Sequence, residues 1–158
     1  MKPFLGLLFI SLFVSCSLSD DSGPIQPTET EAEAFARNQQ EIEAYLEAND
    51  ITAQMTSSGL HYIINEEGTG ESPTATSTVK VNYRGYFLNN SVFNPTTTTE
   101  FNLSDVITGF REGIRLMKIG GKATLFLPAK LGYGAFGNAT IPPNTALVFD
   151  VELLEIIN

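Results

Sequence analysis

Hydrophobic and polar residues alternate cleanly along one stretch of this chain, from Thr78 to Phe87. Its inward positions would be Val79, Val81, Tyr83, Gly85 and Phe87. A period of two is typical of a β-strand that buries one face. Shorter apolar runs bounded by Gly, Pro and Asn predict further strands at 59–65, 92–93, 122–127 and 146–153.

The pattern is less regular between residues 88 and 103. Asn89-Asn90 favours a turn, and Asn94-Pro95 is expected to end the strand that begins at Val92-Phe93. The polar run from Thr96 to Thr99 predicts a bulge or loop, and 101–103 predicts a short extended segment.

Two segments show helical periodicity. Thr30 to Glu33 matches a capping box and predicts a helix from Glu31 to about Ala48, and a second helix is predicted from Val106 to Lys118. One helix among five or six antiparallel-type strands indicates an α+β fold. We therefore predict a curved antiparallel β-sheet wrapped around one short α-helix and preceded by an N-terminal helix.

The N-terminal helix has a narrow apolar stripe, made by Phe35, Ile42, Tyr45 and Leu46. Two interpretations of this stripe stay open: the helix packs on its own domain, or it joins two chains as a homodimer. Acids cover the other faces of the helix, and residues 17–50 hold nine acids with a single base. No basic patch occurs, so a nucleic-acid partner is not expected.

The first residues predict export and a lipid anchor. Lys2 precedes an apolar stretch, Pro3 to Val14, that is shorter than the ~20 residues of a membrane-spanning helix. The following Ser15-Cys16 completes a box that resembles a bacterial lipoprotein cleavage site, which makes Cys16 the predicted lipidated residue. We expect a location in the cell envelope, anchored to a membrane and most simply the outer membrane. An ordinary secretory signal is the alternative.

Residue types used in hydrolytic or metal chemistry are sparse. His61 is the sole histidine and Cys16 the sole cysteine, so the sequence predicts neither a nucleophilic catalytic set nor a metal site. We expect His61 at an exposed strand position. The pattern GxGxxG at 132–137 is followed by Ile-Pro-Pro-Asn instead of a helix, and therefore does not predict a dinucleotide site. No cofactor is expected.

Aromatic side chains instead gather near the Gly- and Pro-rich turns. The set is Tyr83, Phe93, Phe101, Phe110, Tyr133, Phe136 and Phe149. Each one alone is more typical of a core residue than of a site. Together they predict the lining of an apolar pocket.

Several segments, in order, resemble the FKBP-type peptidyl-prolyl cis-trans isomerases. They are VNYRGY (81–86), VF (92–93), VITGFREGI (106–114), GGKATLFLP (120–128), GYGAFG (132–137) and IPPNTALVFDVELL (141–154). The resemblance covers about 77–158, and the arm at 31–70 is similar to the extension of secreted bacterial members. It implies a half-barrel sheet around one helix, with neither metal nor cofactor.

The resemblance also implies the residues of the site. The catalytic residues would be Tyr83, Phe93, Asn94, Ile107, Phe110, Tyr133 and Phe149, with Phe101, Val106 and Ile141 as further substrate-binding residues. Phe110 is expected to be the pocket floor. The backbone N–H of Ile107 is expected to bond the substrate carbonyl, and Tyr133 to offer its hydroxyl from a flexible loop.

Three features depart from the family pattern. Phe110 stands where many members have Trp, and Asn94 stands where most have an Asp that meets tyrosine hydroxyls. The loop at 133–141 is one residue shorter than is usual, with Asn138 and Thr140 in place of more typical residues. These departures concern the turnover rate more than the fold.

Two functions stay open at this point. The first is a prolyl isomerase that assists the folding of exported proteins, and the alternative is a non-catalytic peptide-binding or chaperone module on the same fold. The implied partners are proline-containing polypeptides, a membrane reached through the lipid, and tacrolimus-like macrolides. The predicted order is a signal peptide (1–15), a flexible tether (16–30), an acidic helix (31–50), a lead-in strand and turn (51–76) and the isomerase domain (77–158).

Overall fold

The computed structural model of the chain describes residues 29–157. Its two helices are α1 (Glu31–Ala48) and α2 (Thr108–Arg115). Its strands are β1 (Gln54–Met55), β2 (His61–Glu66), β3 (Thr78–Tyr86), β4 (Val92–Asn102), β5 (Lys122–Leu127) and β6 (Leu147–Ile157). All six strands form one antiparallel sheet in the order β1-β2-β5-β6-β3-β4. The predicted α+β fold with an N-terminal helix is confirmed.

The main core lies between α2 and one face of the sheet. Val81, Leu125 and Leu153 are fully buried there, and Ile114 of α2 packs against them. The close approach of α2 to β5 depends on Gly113, because a Cβ at that position would overlap the side chain of Leu125. This packing fixes the first turn of α2 relative to the sheet, where the pocket described below is formed.

The opposite face of the sheet is covered by α1. The predicted capping box is present: Thr30 Oγ1 accepts a hydrogen bond from Glu33 N–H at 3.2 Å, and Thr30 N–H donates to Glu33 Oε2 at 2.9 Å. Ile42 and Leu46 of α1 pack against a row of sheet residues formed by Tyr86, Phe126 and Val148. Of the two interpretations of the apolar stripe, the structure shows α1 on its own domain.

The prediction for β4 was wrong. Instead of a break at Asn94-Pro95 and a loop at 96–99, one strand runs from Val92 to Asn102. It lies at the edge of the sheet and pairs only with β3, so Pro95 removes no bond to a second neighbour. An irregularity opposite Tyr83 and Gly85 absorbs the extra residues of β4.

The predicted exposure of His61 was also wrong, since only 5% of its surface is exposed. His61 pairs with Phe126 across β2 and β5 and therefore lies on the face that α1 covers. Tyr86, which the alternation places on the face opposite Val81 and Tyr83, is 8% exposed for the same reason. Local alternation identifies which residues share a face, but it does not show that a distant helix covers that face.

The boundaries of several elements also differ from the predictions. α2 begins at Thr108 because Val106 and Ile107 keep extended backbone angles, and it ends at Arg115. β6 continues to Ile157, and the short strand β1 was not predicted. The signal peptide at 1–15, the lipid site Cys16 and nearly all of the tether at 16–30 lie outside the described residues.

Candidate active site

A pocket of about 530 Å³ opens on the α2 side of the sheet. All ten residues that the family resemblance implies for the site line it: Tyr83, Phe93, Asn94, Phe101, Val106, Ile107, Phe110, Tyr133, Ile141 and Phe149. They come from the strands β3, β4 and β6, from the start of α2, and from the loop that follows β5. The fold thus brings together side chains that are far apart in the sequence. The aromatic pattern also placed Phe136 in the lining, and this was wrong, because Phe136 is 87% exposed and does not line the pocket.

Aromatic rings form the floor and walls of the pocket. Phe110, 4% exposed, contacts three other rings edge to face, with centroid distances of 5.6 Å to Tyr83, 5.9 Å to Phe101 and 5.4 Å to Phe149. The ring centroids of Phe93 and Phe149 are 5.6 Å apart, and the two ring planes meet at 84°. Edge-to-face contacts are the favoured arrangement of such rings, so the walls hold one another in place.

Gly85 makes room for the Phe93 wall. Gly85 pairs with Phe149 on β6, and a Cβ at Gly85 would overlap the ring of Phe93. Any larger residue would push Phe93 out of its position. Gly85 was predicted only as an inward strand position, and its role in shaping the wall is visible only once the fold is known.

Ile107 presents a backbone donor at the pocket. It precedes the first residue of α2 with extended angles (φ −56°, ψ 147°), and its side chain packs against the main core. The N–H groups at the start of a helix have no partner within that helix. The Ile107 N–H therefore suits a carbonyl oxygen that enters the pocket above Phe110.

Two tyrosine hydroxyls and an amide supply polar groups to the pocket. Asn94 Nδ2 donates a hydrogen bond to the Tyr83 hydroxyl at 2.8 Å. Tyr133, 39% exposed, faces the pocket from the loop. Partial burial, and to a lesser extent Tyr83, raises the pKa of the Tyr133 hydroxyl above its ordinary value of 10. Tyr133 is therefore a neutral hydrogen-bond donor at physiological pH.

The loop after β5 is ordered by its own polar groups. Asn138 Oδ1 accepts hydrogen bonds from the N–H groups of Thr140 and Ile141, both at 2.9 Å. Asn138 N–H donates back to Ile141 O at 2.9 Å. The two loop residues that depart from the family pattern, Asn138 and Thr140, thus help to hold Ile141 against the pocket.

Five lining residues were not among the predicted site residues. They are Glu100, Asn102, Asp105, Asn138 and Thr140. Two are carboxylates, and no lysine or arginine lines the pocket, so its mouth is acidic. Glu100 and Asp105 each stand beside a predicted residue in the sequence, and that adjacency was the signal available for finding them.

Neither a cluster of metal-ligating side chains nor a membrane-spanning helix occurs in the part of the chain that the structure describes. Across residues 29–157 no three acidic or histidine side chains are close enough together to hold a metal ion. Neither α1 nor α2 has the length and apolar character needed to cross a bilayer.

Comparison with known proteins places the pocket in a family. A model of the FKBP-type peptidyl-prolyl cis-trans isomerase family matches residues 69–154, which include every predicted site residue in the pocket. The chain belongs to this family. The FKBP-type isomerase FkpA of Aeromonas hydrophila is 44% identical over 125 residues, or 75% of this chain and 47% of that protein. FkpA of Escherichia coli K12 is 42% identical over 113 residues, or 69% of this chain and 42% of that protein. The chain thus spans about half the length of these curated FKBP-type relatives.

Solved structures of FKBP-type and other peptidyl-prolyl isomerases agree with this assignment. The crystal structure of FkpA from Escherichia coli matches with a TM-score of 0.70 and 37% identity, covering 80% of this chain and 62% of that one. An isomerase from Pseudomonas syringae pv. tomato matches with a TM-score of 0.71 and 27% identity, covering 82% of this chain and 97% of that one.

Proposed function

We propose that this protein is a peptidyl-prolyl cis-trans isomerase that assists the folding of exported proteins. The observation that carries the proposal is the ring-walled pocket with the Ile107 N–H at its edge. Membership of the family supports the same reaction. The substrates would be proline-containing segments of unfolded or partly folded polypeptides.

The reaction requires only that a peptide bond twist. Rotation about this bond has a barrier of ~18–20 kcal/mol because amide resonance must be broken, and uncatalysed X-Pro exchange takes ~10–100 s. A 10⁵-fold acceleration corresponds to about 7 kcal/mol. Water stabilises the planar, charge-separated amide more than a dry aromatic pocket does. Transfer into the pocket therefore favours the twisted state.

The pocket residues would divide this work between binding and orientation. The proline ring would sit on Phe110, with Tyr83, Phe93, Phe101 and Phe149 as the aromatic walls and Val106 and Ile141 completing the lining. The N–H of Ile107 would hold the carbonyl on one side of the rotating bond. Tyr133 would donate its hydroxyl from the loop, while Asn94 orients Tyr83.

A peptide isomerisation assay tests this proposal directly. We expect catalysis with an apolar residue before proline. The kcat/KM should be constant between about pH 6 and 9, because no step moves a proton and the Tyr133 pKa lies above that range. Inhibition by tacrolimus together with a measurable rate supports the enzyme. Macrolide or peptide binding without any rate supports the non-catalytic module instead, and a rate that follows one ionisation near neutrality contradicts the mechanism.

We also propose that the protein is attached to the cell envelope by lipid at Cys16. The support is the charged start at Lys2, the short apolar stretch at 3–14 and the cleavage-like box before Cys16. Two or more acyl chains give stable anchoring where a single chain does not. Labelled palmitate should be incorporated by the natural sequence and not by Cys16→Ala. Incorporation by neither would favour an ordinary secretory signal.

A further inference from the structure

One buried side chain of α1, that of Asn38, contacts both ends of the loop that follows β5. Asn38 has 0% of its surface exposed. Its Oδ1 accepts a hydrogen bond from Ala129 N–H at 2.9 Å, and its Nδ2 donates to Asn144 O at 3.1 Å. The same Nδ2 also donates to Glu41 Oε2 at 3.0 Å, so both amide hydrogens and the amide oxygen of Asn38 are hydrogen-bonded.

Ala129 and Asn144 bracket the loop that carries Tyr133 and Ile141. Within the loop, Gly134 N–H donates to Ala129 O at 2.8 Å and Asn144 N–H donates to Gly134 O at 2.9 Å. Together with the two bonds of Asn38, these contacts make a closed ring of hydrogen bonds. Gly134, the neighbour of Tyr133, is one member of this ring.

Asn144 is held by α1 in further ways. It has a left-handed backbone (φ 53°), a conformation that asparagine tolerates better than most residues. Arg37 Nη2 donates to Asn144 O at 3.0 Å, and Asn144 Nδ2 donates to Glu29 Oε2 at 3.2 Å. Arg37 and Glu29 also form an ion pair at 2.8 Å. Asn38 is the most deeply buried member of this group of contacts.

We propose that Asn38 is a positioning residue for the isomerase site, acting through the loop from Ala129 to Asn144. The inference rests on the proposed isomerase activity. In this proposal α1 determines the positions of Tyr133 and Ile141 at the pocket. Helix α1 lies outside the residues that the family model matches. Asn38 itself does not line the pocket.

The expected kinetic effect is on substrate binding more than on the bound reaction. The loop supplies part of the lining and the Tyr133 hydroxyl, while the floor and the Ile107 N–H come from α2. Loss of the loop position should therefore raise KM more than it lowers kcat. Small displacements of positioning groups can cost up to ~100-fold in rate, and we expect about a tenfold loss of kcat/KM here.

Two variants test the role of Asn38. Asn38→Ala removes both contacts with the loop. Asn38→Asp keeps an acceptor for Ala129 N–H but replaces the donor to Asn144 O by a carboxylate oxygen. That buried oxygen would also face the Glu41 carboxylate, so the loss should be at least as large and in the same direction. The matched control is Ile42→Ala, which removes buried packing one turn further along α1 where the helix meets the sheet. All variants are assayed at a temperature at which circular dichroism shows them folded.

The decisive readouts are the kinetic split and local amide exchange. We expect both Asn38 variants to raise KM and to speed exchange in the peptide 129–144 relative to β5 and β6. Ile42→Ala should lower overall stability with kcat/KM within about twofold of the natural protein, because its side chain makes no hydrogen bond to the loop and does not line the pocket. If Asn38→Ala and Ile42→Ala have the same kcat/KM and the same rate of amide exchange in the loop, the proposal is wrong.

The two proposals fail in different ways. If the natural protein does not isomerise proline peptides, the proposed function is wrong, and loop exchange together with macrolide affinity still decides the role of Asn38. If the natural protein is active but loop exchange is unchanged in both Asn38 variants, the isomerase assignment stands and the positioning role is rejected.

Discussion

Phe110 illustrates how single residues serve both the core and the pocket. Its ring lies within 6 Å of the rings of Tyr83, Phe101 and Phe149 and is almost fully buried. A substitution at Phe110 therefore affects stability and substrate binding together. The two effects separate when the size and the flatness of the side chain are changed independently.

Phe110→Leu should reduce activity more than stability. Leucine keeps an apolar side chain but loses the flat face on which a proline ring would rest. We expect kcat/KM to fall about tenfold, while the free energy of unfolding falls by about 1–2 kcal/mol. Peptide isomerisation and urea denaturation measure the two effects. Phe110→Trp is the control, because it keeps a flat ring and should retain activity. Equal activity of the Phe110→Leu and Phe110→Trp variants would show that ring shape is unimportant.

Asn94→Asp should raise the turnover rate. The Asn94 amide donates to Tyr83, whereas a carboxylate would accept from the Tyr83 hydroxyl in a charge-assisted bond, which is roughly twice as strong. A more firmly held Tyr83 also fixes Phe101 and Phe110. We expect kcat/KM to rise about two- to fivefold in the peptide assay. Asn94→Ala, which removes the bond, should lower it, and an increase in both variants would mean that the amide hinders the site sterically.

The sequence predicts which residues form the pocket better than it predicts how they are arranged. The motifs from Val81 to Leu154 identify the wall residues because, taken together and in order, they match the family pattern, although no single motif is specific. Glu100 and Asp105 were missed because an acid next to an apolar residue is ordinary on any strand edge or turn. The requirement for a glycine at Gly85 arises from Phe93 on another strand, so no local pattern reveals it.

At the scale of elements, α1 was predicted well and its contacts were not. Its capping box and apolar stripe are local features, so the bounds Glu31–Ala48 follow from the sequence. Its position depends on Asn38 meeting Ala129 and Asn144, which are about a hundred residues away. β4 shows the same limit, because Pro95 is tolerated only for a strand at the edge of the sheet.

Docking of α1 over β2 should make stability depend on pH through His61. Burial lowers the pKa of His61 below its ordinary value of 6.5, and Glu43 only partly opposes this. His61 Nδ1 has no hydrogen-bond partner within residues 29–157. The unfolded chain therefore binds the proton more readily than the folded one. This contribution to stability is fully present above pH 6.5 and is lost as the pH falls below that value.

Urea denaturation at pH 7.5 and pH 5.5 measures this effect. We expect the free energy of unfolding to be lower at pH 5.5 in the natural protein, and His61→Phe, which cannot be protonated, to reduce the difference. The carboxyl groups of Glu29 and Glu33 have pKa values lowered below 4.5 and stay ionised throughout this interval. An unchanged pH dependence in His61→Phe would assign the effect to another group.

At the scale of the whole molecule, the buried stripe of α1 bears on the oligomeric state. Ile42 is 0% exposed and Leu46 is 7% exposed, so the apolar face that would join two chains is occupied by the sheet of the same chain. We expect sedimentation equilibrium to give the mass of a monomer. A concentration-dependent dimer that is abolished by charge reversal on the exposed side of α1 would instead restore the homodimer interpretation.

The position of β6 has a consequence for how the molecule comes into being. β6 is the last described strand, yet it lies inside the sheet and pairs with β5 on one side and β3 on the other. Before Leu147–Ile157 leave the ribosome, the earlier strands can form only two unconnected ladders, β1-β2-β5 and β3-β4. Pairings between such distant segments form slowly. A nascent chain should therefore stay unfolded until β6 has been synthesised, and an unfolded polypeptide can be threaded through a narrow translocation channel.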